Sequence, residues 1–123
     1  MFTILTSFDV QPGPTVPPDE RYAASMALLA AEDVSARLQK LSGWNAQGSA
    51  ITRQFTFQAF PDAVAFIVRL GFAAESVDHH PDLLVNYRRV TVTFTTHSDG
   101  GLTSKDFDGA ATATQIAAAM GAS

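Results

Sequence analysis

Arg89-Val90-Thr91-Val92-Thr93-Phe94-Thr95-Thr96 sets Val90, Val92 and Phe94 on one parity and Thr91, Thr93 and Thr95 on the other. Side chains of a strand point alternately to opposite faces, so this period of two predicts a half-buried strand in a sheet with one apolar face. The preceding segment, Leu83 to Tyr87, is also rich in β-branched and aromatic residues. A tight turn near Tyr87 and Arg88 makes the two segments a hairpin. Further upstream, Ile51, Phe55 and Phe57 share one parity, with Arg53 the exception, while Thr52, Gln54 and Thr56 occupy the other. That pattern predicts a second half-buried strand, and the turn residues Asn45 and Gly48 make 44–47 its hairpin partner.

Helical periods lie between and outside these strands. Val34, Leu38 and Leu41 recur at i, i+4 and i+7, and Gly43 is placed to end a helix spanning roughly 30–41. Trp44 follows as a core anchor. Pro61 and Asp62 open a second helix, in which Phe66, Leu70, Ala73, Ala74 and Val77 hold a 3.6-residue period up to about Asp78. A third starts at Thr103, whose hydroxyl caps it while Asp106 reaches back to complete a capping box; its alanine-rich face runs to about Met120. The order α-β-β-α-β-β-α predicts an α+β fold, a four-stranded antiparallel sheet with three helices packed on one face.

The chain of 123 residues, 46% hydrophobic, holds enough apolar material for one continuous core. Pro12, Pro14, Pro17 and Pro18 with Gly13 oppose both helix and central strand, so residues 1–26 read as an N-terminal proline-rich arm and 27–123 as the domain. Twelve acidic against eight basic side chains, a net charge of −4, argue against a phosphate backbone as partner. With no cysteine the fold relies on neither disulfides nor thiolate-bound metal, which fits a cytoplasmic protein. Residues 1–10 lack the basic region and cleavage pattern of a signal peptide, and no stretch approaches the roughly 20 apolar residues of a membrane span.

All three histidines, His79, His80 and His97, fall in one short stretch. Imidazole is the side chain that gives and accepts a proton near neutrality. Pro81 stiffens the turn that carries His79 and His80 and biases His80 toward extended geometry. The hairpin would bring the start of one strand beside the end of the next, making His80 and His97 neighbours. On spacing alone, catalysis, a zinc site and ordinary surface roles all stay open. Successive strand residues point opposite ways, so His79 and His80 could share one ion only across a turn, and metal is the weaker functional reading.

His79-His80-Pro81-Asp82, followed by Thr96-His97-Ser98-Asp99-Gly100-Gly101-Leu102-Thr103-Ser104-Lys105-Asp106, resembles the pterin-4a-carbinolamine dehydratases. Leu41-Ser42-Gly43-Trp44, Arg53-Gln54-Phe55-Thr56-Phe57, Ala63-Val64-Ala65-Phe66 and Ala74-Glu75 extend the likeness in the right order. The resemblance implies elimination of water from a 4a-hydroxytetrahydropterin to the quinonoid dihydropterin, as in tetrahydrobiopterin recycling, with no metal or cofactor. His79 and His97 would be general acid and base, and His80 would bind and orient the ring. Glu75 and Asp106 match acidic positions of that site, and Pro81, Asp82 and Thr96 belong to its motifs. Glu75 alternatively only ends a helix, and Asp106 only caps one. Leu83 departs from the aromatic residue many relatives carry there.

The family also implies a homodimer or homotetramer and a pathway link to aromatic amino-acid hydroxylases. The ladder Ala65, Val68 and Phe72 on the second helix is a candidate self-pairing surface. A rival reading is a non-enzymatic role on the same fold, as a dimerisation cofactor for a transcription factor or an assembly chaperone for the carbon-fixing enzyme of carboxysomes. The chaperone branch resembles a scaffold that has lost the histidine set, so the presence of His79, His80 and His97 argues against that branch and leaves a second role open. A metal-dependent hydrolase or zinc-binding module is the other rival.

Overall fold

The structure, a computed structural model, describes residues 28–123; the proline-rich arm expected over 1–26 lies outside the described residues. Three helices, α1 (Ala31–Gln39), α2 (Phe60–Ser76) and α3 (Ser104–Ala119), alternate with four strands, β1 (Asn45–Gln47), β2 (Ala50–Thr56), β3 (Asp82–Asn86) and β4 (Arg89–Phe94). The sheet is antiparallel throughout, in the order β1-β2-β4-β3. This is the α+β architecture and element order expected from the sequence.

The register explains the apolar face. Ile51 lies opposite Phe94, Arg53 opposite Val92 and Phe55 opposite Val90, so the two apolar parities meet on one side. Arg53 interrupts that side without breaking it. Its guanidinium lies 4.4 Å from the centroid of the Phe55 ring and donates to the Ser42 carbonyl at 2.7 Å. The side chain thereby covers the ring while its charge keeps polar contact. Gly43, at φ +88°, leaves room for it, since a Cβ there would fall 2.8 Å from the guanidinium.

Ala63, Phe66 and Leu70 of α2 and Phe107, Ala110, Ala113 and Ala117 of α3 complete the core. The alanine stripe lets the α3 backbone lie close to the sheet. Trp44 is buried as expected, and its indole Nε1 donates to Thr114 Oγ1 at 2.8 Å, which satisfies its one donor. Among the described residues no helix is long and apolar enough to cross a membrane.

Three details differ from the pattern reading. α1 buries none of its residues fully; Val34 and Leu38, with Leu41 just beyond its end, pack half-buried on the core as a cover. Val77 does not continue the buried face of α2: that helix ends at Ser76, and Val77 is 62% exposed as its C-cap. β3 pairs only with β4, and as an edge strand it leaves Leu84 and Val85 exposed while Leu83 packs against the core.

Candidate active site

The end of α2 sets the position of His79. The amide of Asp78 donates to Glu75 O, and the amide of His79 reaches back to Ala74 O, both at 3.2 Å. This is the paired bonding of a Schellman cap, with Asp78 at φ +52° in the left-handed position glycine commonly takes. His79 is thus held by helix backbone. Pro81, half-buried, then leads into Asp82, the exposed first residue of β3, opposite Thr93.

His79 Nε2 lies 2.6 Å from Asp106 Oδ1. Asp106 is 0% exposed, in the first turn of α3, and its Oδ2 accepts from the Thr103 amide at 2.9 Å and from Thr96 Oγ1 at 2.7 Å. The capping box foreseen for Thr103 and Asp106 is present, and the same carboxylate holds a histidine. A buried carboxylate is costly unless donors surround it, and here three groups do so. Thr96 is fixed in turn by its backbone bridge to Gly101, which closes the turn His97–Asp99 on itself.

The imidazole of His79 stacks on Phe94, with ring centroids 5.8 Å apart and planes inclined by 16°. Its side chain is 12% exposed. Both rings line a cavity of about 290 Å³ between α2 and α3. Leu70, Ala73 and Val77 supply its apolar wall; Lys105, Asp108 and Thr112 bring polar groups from α3. Gly109 lets α3 approach, because a Cβ there would lie 2.5 Å from Phe94 Cε1.

His80 belongs to a separate pair. Its Nε2 lies 2.8 Å from Glu75 Oε1, with the Glu75 side chain 72% exposed, and neither residue lines the cavity. The structure therefore joins His79, Thr96 and Asp106 in one network and Glu75 with His80 in another. The backbone of His97 opens the turn after Thr96, while its side chain, and with it the expected approach to His80, lies outside the described residues. Among the described residues no group of three or more histidine or acidic side chains is arranged to hold a metal ion.

Sequence reasoning missed the cavity residues of α3. Lys105, Asp108 and Thr112 recur at helical spacing beside the alanine face, and Gly109 interrupts good helix formers. That stripe was the available signal. The parity of Phe94 places it only on the apolar face of the sheet, with no sign of its contact with His79.

Fold and site together define an α+β protein in which a buried carboxylate holds an imidazole at the wall of a cavity. The profile of the family described as Pterin 4 alpha carbinolamine dehydratase matches residues 27–116, and the chain belongs to that family. A Roseiflexus castenholzii protein, provisionally named pterin-4-alpha-carbinolamine dehydratase, is 46% identical over 90 residues, covering 73% of this chain and 97% of the relative. One from Trichormus variabilis, with the same provisional name, is 47% identical over 89 residues, covering 72% and 96%. The crystal structure of a transcriptional coactivator/pterin dehydratase from Brucella melitensis aligns with a TM-score of 0.72 and 36% identity, over 74% of this chain and 99% of that one. A pterin dehydratase-like protein identified as a RuBisCO assembly factor in the alpha-carboxysome aligns at TM-score 0.50 and 19% identity, over 60% and 86%. That last likeness is one of fold.

Proposed function

We propose that the chain is a hydro-lyase acting on 4a-hydroxytetrahydropterin, with residues 27–123 as the active unit, working in cytoplasmic tetrahydrobiopterin recycling downstream of aromatic amino-acid hydroxylases. The observation that carries the reading is the His79–Asp106 pair on the wall of a cavity with room for a flat bicyclic ring. Proton delivery to the 4a-hydroxyl lets the C–O bond break and water leave. Loss of the proton on the adjacent ring nitrogen lets its electron pair close a C=N bond, giving the quinonoid dihydropterin. His79 and His97 carry these two transfers as general acid and base. His80, held by Glu75 next to His79 but outside the cavity lining, binds and orients the part of the pterin that projects from the cavity, and Pro81, Asp82 and Thr96 keep the two histidine segments in place.

The test is direct: supply the carbinolamine and follow the quinonoid product by absorbance. His79→Ala and His97→Ala are each expected to lower kcat by about 10²-fold or more, and His80→Ala to act mainly on KM. Full turnover in both the His79 and the His97 variant would refute the assignment.

Homodimer or homotetramer formation belongs to the same reading. Phe60, Val64, Val68 and Phe72 recur every four residues along α2 and are 47%, 40%, 51% and 77% exposed, an apolar stripe suited to pairing with its own copy.

A further inference from the structure

We infer that Thr96 and Thr103 are positioning residues: their hydroxyls form a one-way chain of hydrogen bonds ending on Asp106, which fixes the His79 proton on Nε2 and leaves Nδ1 as the atom that exchanges protons with a ligand. The direction follows from counting donors and acceptors. Thr103 Oγ1 caps α3, accepting from the Lys105 amide at 3.3 Å and from the Asp106 amide within the capping box. Its acceptor sites are taken, so its hydroxyl must donate, and Thr96 Oγ1 stands 2.9 Å away. Thr96 spends its own hydrogen on Asp106 Oδ2 at 2.7 Å.

The reverse direction fails. If Thr96 donated to Thr103, its oxygen would face Oδ2 with no hydrogen between them unless that carboxyl oxygen carried one. Oδ2 already receives the Thr103 amide at 2.9 Å, so the site is built for an acceptor. An ionised carboxylate only accepts, and the 2.6 Å contact from Oδ1 to His79 therefore has its hydrogen on Nε2. In neutral imidazole the other nitrogen then holds the lone pair. Among the described residues Nδ1 has no hydrogen-bond partner, and the ring lines the cavity.

Asp106→Asn gives the sharpest consequence. Its amide oxygen should turn to the two donors, Thr96 Oγ1 and the Thr103 amide, leaving its NH₂ toward His79. Nε2 then becomes an acceptor, and the neutral ring must carry its proton on Nδ1. The tautomer inverts although the side chain keeps its shape.

The inference deepens the dehydratase reading and rests on it for turnover alone. The test is long-range ¹H–¹⁵N correlation on full-length protein with ¹⁵N-labelled histidine, His79 being assigned by the spectrum of His79→Gln. The expected result is neutral His79 protonated on Nε2 in the unsubstituted protein and on Nδ1 in Asp106→Asn. Thr96→Val leaves Asp106 an acceptor, so the proton should stay on Nε2, but the loss of a donor on Oδ2 should shift and broaden its resonance and lower kcat about tenfold at unchanged KM; Thr96→Ser should restore both. Protonation on Nδ1 in the unsubstituted protein, or no change of tautomer in Asp106→Asn, overturns the assignment. A Thr96→Val protein with an unaltered spectrum overturns the role of the hydroxyl chain. If the tautomers behave as stated but no carbinolamine is dehydrated, the proposed activity falls and the hydrogen-bond assignment stands.

Discussion

A single methyl group added at Gly109 probes the packing that seats His79. A Cβ there would lie 2.5 Å from Phe94 Cε1, 2.6 Å from Cζ and 3.0 Å from Cδ1. Non-bonded carbons rest at about 3.5–4.0 Å, so helix and ring must part by about 1 Å. The ring has little freedom to yield: Phe94 is 1% exposed, its centroid is 6.2 Å from that of Trp44 and 5.8 Å from that of His79. Overpacking of this kind costs about 1–3 kcal/mol, and alanine returns about 1 kcal/mol of helix propensity. Gly109→Ala should therefore lose up to about 2 kcal/mol, or up to roughly 15 °C in Tm for a domain of this size. Gly71→Ala is the matched control, because it lies inside α2 and an added Cβ would meet nothing within 4 Å. There the propensity acts alone and should stabilise by about 0.5–1 kcal/mol. Urea unfolding followed by circular dichroism measures both. Equal stabilisation by the two substitutions would refute the claim that α3 is closed down on Phe94.

Asp78→Gly should raise stability by up to about 1 kcal/mol and Asp78→Val lower it by about 1–2 kcal/mol, because φ is +52° at that cap; thermal unfolding separates the two signs. Thr114→Val should cost about 1–3 kcal/mol by leaving the Trp44 Nε1 donor unpaired, read from the shift in urea midpoint. Val68→Glu together with Phe72→Glu should turn an oligomer into a monomer in light scattering at micromolar concentration. A parent protein already monomeric there would contradict the stripe's proposed use.

Much of the fold can be read locally. The alternation of Val90, Val92 and Phe94 identifies β4 because a strand's side-chain period depends only on the backbone. Thr103 and Asp106 announce the start of α3 because a capping box is completed within one turn. Val77 departs from its expected burial because periodicity cannot tell where a helix stops. The left-handed Asp78 ends α2 first, and aspartate signals that conformation less clearly than glycine.

The sequence by itself determined the elements, their order, the one-sided apolar sheet and the grouping of the histidines, all of which arise from residues a few positions apart. Only the tertiary structure decided which histidine meets which acid. His79 and Asp106 are 27 positions apart in sequence, while Glu75, the nearer candidate, goes to His80 instead. That choice depends on how the end of α2 and the start of α3 dock against Phe94, and docking is fixed by the shapes of surfaces drawn from the whole chain. No local period encodes such a fit.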